Sequence, residues 1–216
     1  MHYSAGFEQD LTEQVDVSVE GFFKQQDLLV STAPSENGLS ENNNQGKGHV
    51  IGAEMLLRFK PSDRFFGWIA YTLSRSMLRD APDRPYRFSS FDQTHIFTAL
   101  GSYKIGRGWE FGARFRLVTG NPETPIVGSL YNASSGTYAS ITGREGSERV
   151  DMFHQLDLRV DKSWQFRLWK LSTYLDIQNV YYSQNVEGYD YNYNYSQRTV
   201  VTGLPIIPSI GVRGDF

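Results

Sequence analysis

Few residues in this chain are spaced for chemistry. His2, His49, His95 and His154 are scattered, and none has a carboxylate or a second histidine at a metal-ligand spacing. No Gly-x-Ser-x-Gly, His-Glu-x-x-His or P-loop pattern occurs. Cysteine is absent, which excludes disulfide frameworks and thiolate zinc sites. Asp157 and Asp161 share one parity of a segment, as two carboxylates of a glycosidase would need, but such pairs are also common on charged walls. "RGD" at 213–215 falls inside a strand pattern rather than a loop, which argues against a recognition motif. "NAS" at 132 and "NYS" at 194 read as chance matches. The expectation is a protein with no catalytic residues, no metal and no cofactor.

Two groups of residues remain as candidates. In "EGYDYNYNYSQ", Tyr189, Tyr191, Tyr193 and Tyr195 alternate with Asp190, Asn192 and Asn194. Tyrosine presents a large area and a hydroxyl at low entropy cost, so these four are candidates for contacting a ligand from an outer loop. The plainer reading is a protruding strand stiffened by a tyrosine ladder. The second group is Glu20, Glu54, Arg58, Arg114, Arg116, Arg159 and Asp176, charges that recur on the polar parity of successive segments. They are expected to face a water-filled space, and there to be solvated or to form salt bridges with one another.

The elements that carry them follow a two-residue period. "QVDVSVEGFFK" places Val15, Val17, Val19 and Phe23 on one face and Asp16, Ser18, Glu20 and Lys24 on the other. "HVIGAEMLLRF", "WEFGARFRL", "MFHQLDLRVDK", "WKLSTYLDIQN" and the terminal "IIPSIGVRGDF" repeat the pattern. Weaker strands are expected in "HYSAGFEQDL", "RFFGWIAYTLSRS", where Phe66 and Trp68 blur the alternation, "THIFTALGSYK" and "QRTVVTG". The expected fold is all-β, an antiparallel up-and-down meander of about ten strands.

The connections alternate in length. Short ones are read at 10–13, 60–64, 105–108, 162–166 and 203–208, and long ones at roughly 31–47, 78–92, 120–150 and 181–197. Tight turns at one end and long loops at the other suit a transmembrane β-barrel. Aromatics gather at strand ends: Phe59, Phe65, Phe66, Trp109, Trp164 and Trp169 beside short turns, and Tyr181 and Tyr182 beside a long loop. Such girdles mark membrane interfaces. A soluble sandwich would also alternate, and it is the competing architecture. No run reaches the ~20 apolar residues of a membrane helix, which a barrel does not need. Met1 leads into "HYSAGFEQDL" without a leader-like pattern. A formal net charge of −3 argues against a nucleic-acid partner. A strand ending on Phe216 is expected to be held by a neighbour, pairing with the first strand if the barrel closes on itself.

Three stretches carry a resemblance. "LDLRVDKSW", "LSTYLDIQNVYYSQNVEGYDYNYNY" and "VTGLPIIPSIGVRGDF" resemble the closing strands, final loop and terminus of TonB-dependent outer-membrane receptors. The resemblance extends from about Tyr3 to Phe216. It implies a segment of a 22-stranded barrel in the bacterial outer membrane, with residues 1–216 as its C-terminal part and no plug domain. It implies uptake of a large scarce nutrient: a ferric chelate, cobalamin or an oligosaccharide. The implied partners are the lipid bilayer, the assembly machinery reading Phe216 as its signal, and the rest of the barrel or a second barrel chain. TonB is a partner only if a plug lies upstream. The alternative is a non-transporting subunit of an envelope complex or a split barrel.

Overall fold

The structure, a computed structural model, describes residues 1–34 and 40–216. Its first half holds β1 (His2–Asp10), β2 (Val15–Pro34), β3 (Ser40–Phe59), β4 (Phe65–Arg79), β5 (Arg87–Phe88), β6 (His95–Gly106), β7 (Trp109–Val118) and β8 (Pro122–Glu123). Then come β9 (Ile126–Asn132), β10 (Thr137–Thr142), β11 (Glu148–Arg149), β12 (Phe153–Gln165), β13 (Lys170–Gln178), β14 (Val186–Tyr191), β15 (Arg198–Thr202) and β16 (Ile207–Asp215). The described residues contain no helix.

One sheet dominates, in the order β1-β2-β3-β4-β6-β7-β12-β13-β16, with β5 beside β4. Every pairing is antiparallel between neighbours along the chain, so the sheet is a meander. Three small two-stranded pairs stand outside it: the hairpins β9–β10 and β14–β15, and β8–β11, which encloses the first of them.

The register joins each polar parity to the next. Glu20 faces Glu54, Asp16 faces Arg58, Thr98 faces Arg116, Arg114 faces Asp157, and Arg159 faces Asp176. The seven charged candidates therefore share one face. Phe66 and Trp68 are on that face too, Trp68 between Arg58 and Leu100, which is why they blur the alternation. The opposite face carries Val17, Met55, Ile69, Phe97, Phe115, Leu158, Leu175 and Ile210.

Burial is inverted relative to a soluble domain. Among the described residues Ala81 is the single buried hydrophobic side chain, whereas Asp16, Asp92, Asp157 and Asn179 are buried. Ile51 is 54% exposed, Ile210 79% and Val212 70%. An apolar face this large without a covering layer is incompatible with a sandwich, whose two sheets bury their inner faces on each other.

The short turns are built locally. Between β6 and β7, Arg107 (φ 53°) and Gly108 (φ 80°) both take left-handed conformations, as a two-residue hairpin turn requires. Ser62 closes the 60–64 turn by accepting from the Phe65 N–H at 3.0 Å, while its own N–H donates to the Phe65 carbonyl at 2.9 Å. Phe166 N–H donates to the Trp169 carbonyl at 2.9 Å, and the two rings stack at 4.7 Å. Trp169 also stacks on Phe216 at 5.7 Å.

Several expectations change. The last short turn lies at 166–169, because β12 continues through Gln165. Most of the loop expected at 31–47 is strand: β2 and β3 pair as far as Pro34 and Ser40, with register shifts after Gln26. Residues 35–39 of that expected loop lie outside the described ones. "QRTVVTG" pairs with β14 rather than joining the main sheet. "GLPIIP" is not a turn at the short end but the descent from β15 into β16 at the long-loop end. The first and last strands do not pair: β1 and β16 are the two edges of the sheet. Each edge presents unpaired backbone groups that only further strands satisfy in a membrane.

Candidate functional site

Three ion networks cover the polar face. Near the first turn, Arg58 Nε donates to Asp16 Oδ1 at 3.1 Å, and its terminal nitrogen reaches Asp16 Oδ2 at 3.0 Å and Glu8 at 3.2 Å. Lys60 meets Asp10 at 2.6 Å in the adjoining turn, and the hydrogen bond to that carboxylate raises its pKa above the usual lysine value. Farther along, Arg114 Nε donates to Asp157 Oδ2 at 2.9 Å, and Arg116 lies 3.9 Å from the same oxygen. Asp157 also accepts from the Asn179 backbone N–H at 3.0 Å. The third network joins Arg159 to Asp161 at 2.8 Å and to Asp176 at 3.9 Å, with the guanidinium 4.0 Å from the centre of the Tyr174 ring.

The second and third networks line a depression of about 390 Å³ that also takes in Ser102, Glu110 and Gly112, with Arg114, Asp157, Arg159, Asp161 and Asp176 on its wall. Glu20 and Glu54 stand apart. They are directly opposite each other, and neither forms an ion pair among the described residues. The described residues hold no cluster of three or more metal-ligating side chains.

The long-loop end is more ordered than its composition suggests. Asp92, 1% exposed, accepts from the Ser76 N–H at 2.6 Å and from Thr94 at 3.2 Å, and it is ion-paired with Arg149. Arg149 donates to the Gly120 carbonyl at 2.9 Å, so one buried carboxylate ties the 80–94 loop to the 119–152 loop. Asn179, 2% exposed with φ 54°, caps the last strand before the final loop by donating to the Ser183 carbonyl at 2.9 Å and the Leu204 carbonyl at 3.2 Å.

The tyrosine candidates divide. Tyr189 and Tyr191 are in β14, with Arg198 4.0 Å from the centre of the Tyr189 ring. Tyr193 and Tyr195 are in the turn, where Tyr195 packs on Tyr191 at 6.2 Å. Tyr193 is 81% exposed and meets Tyr138 edge-on at 5.8 Å, while Tyr138 packs on Tyr131 at 5.0 Å. Ser129 donates to the Asn194 carbonyl at 2.7 Å. The hairpins β9–β10 and β14–β15 are thus docked on each other.

Below them lies a depression of about 510 Å³ lined by Gln93, Asn121, Glu123, Asp151 and Glu187. Burial pushes the Glu123 carboxyl above the usual carboxylate range, the Arg198 charge opposes that, and Glu148, its partner across the β8–β11 pair, adds to it. Asp92, Arg149, Glu123, Tyr131 and Tyr138 carry no periodic signal, so strand patterning does not find them.

No protein-family model matches the sequence, and no curated protein does. Solved structures do. The ferric-catecholate import receptor Fiu from Escherichia coli K12 matches 99% of this chain at TM-score 0.61 and 14% identity. The FrpB iron transporter of Neisseria meningitidis matches 99% at TM-score 0.64 and 16% identity. The ferripyoverdine receptor of the Pseudomonas aeruginosa outer membrane matches 100% at TM-score 0.64 and 15% identity. The fold is that of TonB-dependent outer-membrane receptors. This chain spans 27%, 30% and 27% of the length of those three receptors, respectively. A wall segment of a TonB-dependent-receptor barrel accounts for the two free edges and for the exposed apolar face. The fold is one of the bacterial outer membrane.

Proposed function

We propose that this chain is the C-terminal barrel segment of a TonB-dependent receptor that takes up a ferric chelate. The inverted burial carries the reading: an apolar face with no protein cover suits lipid, and a face of paired charges suits a water-filled lumen. On this reading Glu20, Glu54, Arg58, Arg114, Arg116, Arg159 and Asp176 line the lumen. The docked tyrosine hairpins, with Tyr189, Tyr191, Tyr193 and Tyr195, form part of the outer ligand surface. Ferric chelates are favoured over cobalamin and oligosaccharides because the similar structures include a ferric-catecholate import receptor, an iron transporter and a ferripyoverdine receptor. The free edges of β1 and β16 pair with the remaining staves, from the same chain or a second one. Phe216 serves as the assembly signal.

The test uses iron-limited cells expressing the protein. They are expected to bind and import radio-iron presented as a catecholate or hydroxamate chelate. Deleting the β14–β15 hairpin (186–202) should lower binding while membrane-inserted protein stays constant. Inserted protein that binds no chelate of either class would refute the transport reading and favour the non-transporting barrel subunit.

A further inference from the structure

We propose that the outward face binds an anionic phospholipid at the short-turn end, its phosphate on Lys162 and an acyl chain in the depression above. This rests on the membrane reading of the apolar face. Lys162 is on that face, directly opposite Trp109. Its ammonium is 4.9 Å from the centre of the Trp109 ring and 5.4 Å from that of Trp164, and it donates to the Arg107 carbonyl. No carboxylate pairs with it among the described residues, whereas Lys60 in the neighbouring turn is committed to Asp10. Two indoles hold a cation by its attraction to their faces and leave its charge unneutralised on an otherwise apolar surface. At a membrane interface, the complementary group is a lipid phosphate.

The second observation is the depression itself, about 430 Å³ and mostly apolar. Gly67, Gly101 and Ala113 are small members of its lining, and Phe65, Ile69 and Phe115 stand among them. The register connects the two features. Passing up the β7–β12 pair, Lys162 faces Trp109, Val160 faces Phe111, and Leu158 faces Ala113. Ala113 is four residues above Trp109, about 14 Å along the strand. That is the reach from a headgroup phosphate to the body of its own acyl chain. A zwitterionic lipid fills the depression equally well and brings the same phosphate, but its own headgroup cation offsets that charge, so the unneutralised lysine favours a net-negative headgroup.

The test reconstitutes the protein, purified from cell membranes, into phosphatidylcholine vesicles. Electron paramagnetic resonance then measures the immobilised fraction of spin-labelled phosphatidylglycerol or phosphatidylcholine. The parent should favour phosphatidylglycerol. Lys162→Gln should lower that preference about fivefold, the worth of one interfacial cation. Ala113→Phe, which fills the depression with another apolar group, should reduce immobilisation of both lipids. Lys170→Gln removes a charge from the polar face at the same end and should change neither. Equal effects of Lys162→Gln and Lys170→Gln, or no preference in an inserted parent, would overturn the site alone. Loss of protease protection in the reconstituted parent would overturn the membrane reading and the site together.

Discussion

Leu158 and Arg159 are adjacent in sequence and opposite in environment. Leu158 is the sixth of the 13 residues of β12 and is 39% exposed on the apolar face between Ala113 and Ile177. At ~3.4 Å per residue and a tilt of ~45°, it sits about 12 Å below the upper end of the strand, near the middle of a ~25 Å apolar band. Leu158→Arg should therefore cost about 2–4 kcal/mol, a factor of about 30 to 700 in the folding equilibrium. Arg159 points the other way, toward Asp161 and Asp176. Arg159→Gln removes ion pairs that remain partly solvated, so its cost should stay within about 1 kcal/mol. Urea unfolding from lipid vesicles, followed by tryptophan emission, measures both. Equal costs for the two variants, or a larger cost for Arg159→Gln, would refute the assignment of faces.

Gly211 lies across from Tyr174, and a Cβ there would collide with the hydroxyl-bearing edge of the tyrosine ring. Gly211→Val should lose about 1–3 kcal/mol by displacing that ring from Arg159, and Tyr174→Ala in the same chain should recover part of the loss in the same unfolding assay. Asp92→Ala leaves Arg149 and the Ser76 N–H without their shared acceptor. It should cost about 1–3 kcal/mol and open the 80–94 and 119–152 loops to limited proteolysis. Glu123 has a carboxyl raised above its ordinary 4.5, so its contribution to stability is present at low pH and lost as pH rises through the raised value. Amides of the β8–β11 pair should exchange more slowly in Glu123→Gln than in the parent at neutral pH, and equally below 4.5. Deleting Phe216, which stacks on Trp169, should lower insertion in cells, read as heat-modifiable protein in the membrane fraction. Added polar residues in the 133–136 turn should not.

The alternation in β2, β3, β7, β12, β13 and β16 was legible in the sequence for a physical reason. Where one face of a strand meets lipid and the other meets water, every second residue must be apolar. The same rule explains what was illegible. Above the membrane both faces of a strand meet water, and no period survives in "STAPSENGLSENNNQGKG" to mark the extension of β2 and β3, or in "QRTVVTG" to mark its pairing with β14. The tyrosine ladder was visible as a pattern, but its docking on Tyr138 depends on another hairpin more than fifty residues away. Asp92 and Arg149, 57 residues apart, meet only because two loops fold over the same strand ends. Periodicity identified the polar face, because parity is a local property. Which charges pair across it, and that β1 and β16 stay open as edges, only the register and order of the strands decided.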